Sequence, residues 1–395
     1  MRRIIGVFRR PVVAWIIALA FVCAERPAAG ESARNDGDVT ITVSVKSSES
    51  AKYATAETHT REDWTRAWNK AKIETLTAPS TLYTDTYVEI AEGGAKRTFA
   101  MREDGVLFDP GANRSITLSS KVRRQWIAAA GALRKRHYGE IVEWDQAKSR
   151  IPRKAIVTVV DLETGLSFRA QRRAGSSHAD VQPLTRRDTA VMKEIYGGKW
   201  SWRRRAIVVT SDDGSAIAAS MHGMPHGGDG IPDNGFSGHF CIHFAGSTTH
   251  RSGKTDLSHQ LMVHKAAGKL PEWFRASSPE LRTEAIFDAL HQQDEAVLRA
   301  ALQGSSSETL QTFLQWLSKA DAVRIEPPKE QDGAEDAVTA DISVKAAWTW
   351  KGGGVKQETV RLQFARETVR SPWIITGVES KSGSKGNSNI RKKGA

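Results

Sequence analysis

The segment between residues 156 and 221 constrains the fold of this chain most strongly. It holds four short apolar runs in two pairs: residues 156 to 161, 166 to 170, 206 to 210 and 216 to 221. A glycine-containing turn joins each pair, through Gly165 and Gly214. Such runs around a glycine turn are typical of β-hairpins, because glycine adopts turn conformations at little cost. This part of the chain is therefore predicted to be rich in antiparallel strands.

The flanking segments mix helical and strand patterns. The chain has 395 residues, enough for about two or three domains, and its 39% apolar content can build buried cores. The predicted fold is a multidomain α+β protein. Its three folded parts are a small α+β domain over residues 38 to 140, a β-rich domain over 141 to 270, and an α+β roll over 275 to 380.

Local patterns support this division. Strands are predicted at 83 to 90 and 96 to 101, and a helix capped by Ser120 should bury Val122, Trp126, Ala129 and Leu133. In the β-rich part, short helices are predicted at 188 to 195 and 259 to 267, and Trp200 and Trp202 are expected in the core.

The C-terminal part begins with Ser278-Pro279, a serine cap followed by proline at the first helical position. Two helices and long alternating strands follow. Ile342, Val344, Ala346, Trp348 and Trp350 are expected on one strand face, and Val360, Leu362 and Phe364 on another. In element order alone, this part resembles the nuclear transport factor 2-like (SnoaL-like) family.

The N-terminus has the pattern of a secretory signal peptide. Residues 1 to 24 carry Arg2, Arg3, Arg9 and Arg10, then an apolar run, then the small-residue site Val22-Cys23-Ala24. The run is shorter than the roughly 20 residues of a membrane-spanning helix. We therefore predict export to the periplasm or cell wall, with an uncleaved membrane anchor as the alternative and a linker over residues 25 to 37.

The net charge of +12 raises the question of a polyanionic partner. Four of the basic residues lie in the leader and five in a Ser/Gly/Asn-rich tail over residues 381 to 395, which is predicted to be disordered. The folded body is therefore only weakly basic. Export and the lack of a nucleic-acid-binding motif argue against nucleic acid as a partner.

The candidate chemistry lies in one histidine-rich region. Eight of the 11 histidines fall between His178 and His264, and Cys241 is the one cysteine left once the leader is removed. His239 and His243 flank it at two residues on either side. A lone thiol in an oxidising compartment is buried, paired with another chain, or used chemically.

A cysteine becomes a nucleophile when an imidazole takes its proton, and acyl transfer also needs N–H groups aimed at the oxyanion. His222 follows a predicted strand and His226 lies closer in sequence, so either could be the base. A glycine-containing turn over residues 235 to 240 could supply N–H donors just before Cys241.

These residues resemble the catalytic domain of L,D-transpeptidases (YkuD-type) over about residues 150 to 265. His222-Gly223, or His226-Gly227, resembles the family's His-Gly at a strand end, and the run from Ser237 to His243 resembles its cysteine motif. The resemblance implies peptidoglycan stem peptides as substrate, without a cofactor. By the same resemblance Cys241 is the nucleophile, His222 the base with His226 as runner-up, and His239 the loop residue beside the nucleophile.

A second group of residues is predicted to bind substrate. It comprises His178, Asp180, Arg173, Ser237, Gly238 and His243. The arginines at 172, 173 and 203 to 205 could hold acidic groups of the stem peptide.

Two alternatives stay open. Phe240 stands where the family has glycine, which favours a non-catalytic wall-binding protein with a transpeptidase-like fold. His178 and Asp180 could instead join His239 and His243 as zinc ligands of a peptidoglycan peptidase, although the HExxH spacing is absent.

Overall fold

The computed structural model describes residues 39–77, 81–211, 213–228, 230–249, 253–329 and 336–382. These residues contain helices and three antiparallel sheets, so the fold class is α+β. The predicted leader and linker, and the basic tail from residue 383 onward, lie outside the described residues. Within the described part, every helix is too short or too polar to cross a membrane.

The first part of the chain folds into a seven-stranded sheet with two helices. Its elements are β1 (Thr40–Val45), β2 (Thr55–His59), α1 (Glu62–Asn69), β3 (Lys72–Thr75), β4 (Thr86–Glu92), β5 (Ala95–Met101), β6 (Leu107–Asp109), β7 (Arg114–Thr117) and α2 (Ser120–His137). The strand order is β2-β1-β4-β5-β6-β7-β3. The strand predicted from residue 83 begins at Thr86, and Ser119 rather than Ser120 occupies the N-cap of α2. Helix α2 buries Ala130 rather than Ala129, beside Trp126.

The β-rich part forms a closed six-stranded barrel. Its elements are α3 (Trp144–Arg150), β8 (Ile156–Asp161), β9 (Ser167–Ala174), β10 (Ala179–Pro183), α4 (Arg186–Ile195), β11 (Arg204–Thr210), β12 (Ala216–His222) and β13 (Phe240–His243). The strand order around the barrel is β10-β13-β12-β11-β8-β9. The two predicted hairpins, β8–β9 and β11–β12, are confirmed. Helix α4 begins with a capping box between Thr185 and Asp188.

The last part packs five helices and a four-stranded sheet. Its elements are α5 (Leu257–Ala266), α6 (Leu270–Ala276), α7 (Pro279–Gln292), α8 (Glu295–Ala301), α9 (Ser307–Lys319), β14 (Ala320–Ile325), β15 (Thr339–Trp350), β16 (Val355–Ala365) and β17 (Ile374–Ser382). Ser278 caps α7 as predicted, by accepting a hydrogen bond from the Leu281 N–H. Helix α8 was not predicted, because its seven residues are too few to show a clear period.

Side-chain alternation explains the cores. The interior of the barrel is filled by alternate residues of its strands, including Val159, Ile207, Ala219 and Phe240. Alternate residues on the opposite side of β11 and β12 join a second core, which continues through α5 to the seven-stranded and four-stranded sheets. The predicted buried faces of β15 and β16 are confirmed up to Trp348, whereas Trp350 is only partly buried.

Buried charges also connect the parts. The ammonium of Lys265 on α5 lies 2.7 Å from Glu163, in the β8–β9 turn, and 2.8 Å from Asp294, the N-cap of α8. Lys265 is 3% exposed, so this triad is largely screened from solvent. It anchors α5 between the barrel and the C-terminal helices.

Candidate active site

The site is built on the outer face of the barrel. On β13, Phe240 and Ile242 point into the barrel core, so alternation places Cys241 and His243 on the other side. Both outward residues are nevertheless buried, Cys241 at 3% exposure. Helix α5 covers this face, and its His259 stacks on His243. The nucleophile candidate therefore lies between the barrel wall and a helix.

Strand register brings the other polar residues to the same place. Asp180 on β10 pairs with Cys241 across the strands, and Ser220 on β12 pairs with His243. Directly opposed residues of antiparallel strands share a sheet face. Asp180 thus lies beside the cysteine and Ser220 beside His243, although 61 residues separate Asp180 from Cys241 along the chain.

His226 is the imidazole in contact with the cysteine. Its Nε2 lies 3.3 Å from the Cys241 sulfur, and its Nδ1 lies 3.0 Å from the Met224 carbonyl oxygen. A carbonyl only accepts hydrogen bonds, so Nδ1 carries the proton and Nε2 presents a lone pair to the thiol. This is the tautomer that a general base needs.

Backbone pairing with His239 holds His226 in place. The two residues exchange N–H to carbonyl hydrogen bonds of 3.0 and 2.8 Å. Gly238, with a φ of +82°, allows this approach, because a Cβ there would lie 2.3 Å from the His226 carbonyl oxygen. The glycine of the predicted loop therefore positions His226. The His239 N–H is used in this pairing, so it is not a donor for an oxyanion.

His222, the base named first from the sequence, has a different position. It ends β12, and its Nδ1 accepts a 3.4 Å hydrogen bond from the Met224 N–H. Its ring lies 5.1 Å from that of His226. Burial, with a contribution from His226, holds the pKa of His222 well below its usual value. His222 is therefore a neutral neighbour of His226, and the runner-up candidate is the residue that contacts the sulfur.

Asp180 lies close to the thiol and to two imidazole nitrogens. Its Oδ1 lies 3.9 Å from the Cys241 sulfur, 3.4 Å from His178 Nε2 and 3.7 Å from His239 Nε2. His178 is in turn held by a 2.7 Å hydrogen bond between its Nδ1 and the Thr248 carbonyl oxygen. The predicted His178–Asp180 pair thus lies inside the cysteine site.

The environment opposes formation of a free thiolate. Burial raises the pKa of the Cys241 thiol, and the negative charge of Asp180 raises it further, while Arg204 acts in the opposite direction. Arg204 is itself paired with Asp256 at 2.7 Å. Formation of the Cys241 thiolate therefore needs proton transfer to His226 or a bound cation.

A stack of buried imidazoles lies beneath the cysteine. The rings of His178 and His243 are 4.4 Å apart, and those of His243 and His259 are 3.7 Å apart and nearly parallel. Ser220 Oγ lies 2.8 Å from His259 Nδ1. Burial, with a contribution from His243, keeps the pKa of His259 well below its usual value. His259 was not predicted as a site residue. The available signal was Asp256, the N-cap of α5, whose side chain accepts a hydrogen bond from the His259 N–H and so sets the position of His259 in the first turn of the helix.

Trp202 was expected in the core, and this prediction is wrong. The residue is 51% exposed and lies over the site, with its ring 4.7 Å from His222 and 5.5 Å from His226. Trp200 packs against Phe236, at the edge of the barrel core. Since β11 begins at Arg204, Trp202 stands on the segment just before a strand, where alternation does not fix its direction.

The arginine clusters have mostly structural contacts. Arg172 is buried and donates to the carbonyl oxygens of Lys148, Ile151, Ala174 and Gly175. Arg205 pairs with the buried Asp161 at 2.8 Å. Arg173 alternates to the opposite side of β9 from Arg172 and donates to Gln171. Of the remaining predicted substrate residues, Ser237 is exposed four residues before Cys241.

The donor set also suits a metal ion. Three groups of side chains have potential ligand atoms within 4.8 Å of one another, and Cys241 belongs to all three: His178 with His243, His222 with His226, and Asp180 with His239.

Comparisons with protein-family models, with curated proteins and with solved structures found no match to this chain.

Proposed function

We propose that this protein is an exported cysteine acyltransferase acting on peptidoglycan stem peptides, with Cys241 as nucleophile and His226 as base. The observation that carries the proposal is the 3.3 Å contact between Cys241 Sγ and His226 Nε2. The Met224 carbonyl fixes the tautomer in which Nε2 accepts the thiol proton. In this proposal the barrel is the L,D-transpeptidase-like catalytic domain, and the C-terminal part is the nuclear transport factor 2-like roll.

The chemistry runs in two halves. His226 Nε2 takes the Cys241 proton while the sulfur attacks the amide carbon of the donor peptide, and the carbonyl oxygen becomes an oxyanion. The C–N bond then breaks, the leaving amine takes the proton from His226, and a thioester remains. In the second half an acceptor amine or water attacks the thioester and gives its proton to His226. The C–S bond breaks, and the thiolate recovers the proton.

The surroundings of the pair support a role in binding substrate. Trp202 presents a half-exposed ring over the two imidazoles, so it can pack against the aliphatic part of a stem peptide. The exposed Ser237 lies on the loop that leads to Cys241. Peptidoglycan as the substrate and export as the destination come from the family resemblance and the leader pattern.

The test is covalent labelling of the purified protein. Wild-type protein is incubated with muropeptides or with a carbapenem, and intact-mass spectrometry is used to find a thioester adduct and crosslinked or trimmed products. We expect one adduct per chain, its absence in Cys241→Ala, and its retention in His59→Gln, which changes a histidine of the seven-stranded sheet. No wild-type adduct, or an equal adduct in Cys241→Ala, would contradict the proposal.

Peptidoglycan retention and metal removal separate the alternatives. A non-catalytic wall-binding protein would show no turnover, and peptidoglycan would retain the wild type and Cys241→Ser equally. A zinc peptidase would lose turnover when the metal is removed and recover it when zinc is restored. The acyltransferase is instead expected to be fully active after metal removal.

A further inference from the structure

Three imidazoles around Cys241 share one orientation. In each ring Nδ1 faces a backbone carbonyl oxygen: His178 with Thr248 at 2.7 Å, His226 with Met224 at 3.0 Å, and His239 with Gly228 at 3.3 Å. Since a carbonyl cannot donate, Nδ1 carries the proton in each neutral ring. Each Nε2 therefore presents a lone pair that can bind a metal ion.

Each of the three Nε2 atoms lies close to the Cys241–Asp180 pair. His226 Nε2 is 3.3 Å from the Cys241 sulfur, while His178 and His239 Nε2 are 3.4 and 3.7 Å from Asp180 Oδ1. A carboxylate oxygen offers only lone pairs, as do these nitrogens. Electron-pair donors that converge in this way are the arrangement of a metal site.

Three separations between potential ligand atoms are close to those of tetrahedral coordination. Ligand atoms at about 2.0 to 2.3 Å from a zinc ion lie roughly 3.3 to 3.8 Å from one another when the geometry is tetrahedral. The separations from Cys241 Sγ to His226 Nε2, from Asp180 Oδ1 to His239 Nε2, and from Sγ to Oδ1 are 3.3, 3.7 and 3.9 Å. The ligand atoms of Cys241, Asp180 and His239 all lie within 4.8 Å of one another, so small side-chain adjustments would close these three around an ion. His226 contacts the sulfur from a separate group that it forms with His222 and Cys241.

We propose that Cys241, His239 and Asp180 bind one zinc ion. The mixed sulfur, imidazole and carboxylate set suits zinc better than the hard cations magnesium or calcium. The Gly228 carbonyl supplies the outer contact that usually orients a histidine ligand, here His239. His178 Nε2 lies next to the same carboxylate oxygen and serves as a neighbouring donor.

The negative charges of the site and its solvent-accessible side both suit a bound divalent cation. A thiolate and a carboxylate 3.9 Å apart repel each other, and a divalent cation bound to both removes this repulsion. His226 and His239 are only partly buried, so they form the open side of an otherwise buried cluster. On binding, the ion replaces the thiol proton, which is released to solvent.

The ion would act as a reversible inhibitor. Zinc bound to the Cys241 sulfur occupies the electron pair that attacks the substrate, so zinc and acyl donor compete for one thiolate. This regulatory consequence rests on the proposed acyltransferase function. The metal site itself rests only on the ligand geometry.

The test uses the full chain, stripped of metal with a chelator and titrated with Co²⁺ and Zn²⁺. We expect one ion per chain, proton release, and a thiolate-to-cobalt charge-transfer absorption that is lost in Cys241→Ser. Asp180→Asn and His239→Gln should weaken zinc binding by at least about tenfold. His59→Gln is the matched control and should bind as wild type does.

The two proposals can fail separately. The metal site would be overturned if the wild type binds no zinc at micromolar zinc concentration, or if Cys241→Ser and His239→Gln bind zinc as tightly as wild type. Either result holds whatever the adduct experiment shows. Zinc binding without any adduct in metal-free protein would leave the site standing and remove the acyltransferase. Faster adduct formation with zinc than without it would overturn the inhibitory role.

Discussion

Asp180 and Cys241 are direct cross-strand partners on β10 and β13, and the carboxylate oxygen of Asp180 lies 3.9 Å from the sulfur. The carboxylate opposes ionisation of the thiol, because two negative charges in a buried site repel. The same carboxylate makes the site suitable for a divalent cation. In the two proposals above, this pair therefore decides whether Cys241 is a protonated thiol, a nucleophile or a ligand.

Asp180→Asn should make Cys241 more reactive in metal-free protein. Removing the charge lowers the pKa of the thiol, so more thiolate is present at a given pH. We expect alkylation by iodoacetamide at pH 8 to accelerate roughly tenfold, which corresponds to about 1.4 kcal/mol. Asp145→Asn, on the exposed surface of α3, is the control. An unchanged rate in Asp180→Asn would show that the carboxylate does not act on the thiol.

Two substitutions should separate the bases. His226→Gln removes the nitrogen that contacts the sulfur and should slow adduct formation by about 100-fold or more. His222→Gln leaves that contact in place and should slow it by less than about tenfold. Time-resolved intact-mass spectrometry measures both rates. A larger loss in His222→Gln than in His226→Gln would reverse the assignment.

Trp202 should contribute to donor binding rather than to the chemical step. Its exposed ring packs on His222 and His226 but carries no group that moves a proton in the proposed reaction. Trp202→Ala is expected to raise KM for a muropeptide donor by about fivefold to tenfold, with kcat reduced by less. Trp202→Phe keeps an aromatic face and should lie near wild type. Equal KM values for all three proteins would remove Trp202 from the binding surface.

Lys265 should be essential for stability. Lys265→Met leaves Glu163 and Asp294 as partly buried carboxylates without their shared cation, and should lower the free energy of unfolding by about 3 to 5 kcal/mol. Chemical denaturation measures this change. Lys269→Met removes an exposed ion pair with Glu272 and should cost less than about 1 kcal/mol. Adding Glu163→Gln and Asp294→Asn to Lys265→Met should recover part of the loss.

Asp288 should make stability depend on pH. Burial raises its pKa from 3.8 to about 7, and Asp256 adds to the effect while the Ser258 hydrogen bond opposes it. Between about pH 4 and pH 7 the folded protein retains a proton that the unfolded chain has released, so its stability falls as the pH rises through this window. Below about pH 4 the stability that comes from the raised pKa of Asp288 is fully present, and above about pH 7 it is lost.

Asp288→Asn should flatten that profile. The neutral amide keeps the shape of the side chain, so the variant is expected to exceed wild type by on the order of 1 to 2 kcal/mol at pH 8. At pH 4 the two proteins should differ little. Parallel wild-type and variant profiles in urea denaturation would show that Asp288 does not titrate in this range.

Much of the local structure follows from sequence pattern. The glycine turns at Gly165 and Gly214 predicted both hairpins of the barrel, and Ser278-Pro279 predicted the start of α7. Alternation along β15 and β16 predicted their buried faces. These signals are readable because they depend on residues a few positions apart, whose periodicity and turn chemistry act locally.

The candidate site was only partly predictable. Histidine density identified the region, and Cys241 stood out as the one cysteine beyond the predicted leader. The choice between His222 and His226 depends on how the loop after β12 folds back to pair with His239, and Gly238 permits that pairing. His259 arrives from another element, α5, whose packing against β12 has no local signature.

The sequence by itself determined the residue types, the short-range turns and the alternation that separates the two faces of each strand. Tertiary structure decided which strands pair and in which register, and so placed Asp180 opposite Cys241 and Ser220 opposite His243. The reason is physical: a strand's alternation specifies which residues share a face, but the partner strand is selected by packing the whole barrel. A shift of one residue would turn the acid away from the thiol and leave no site.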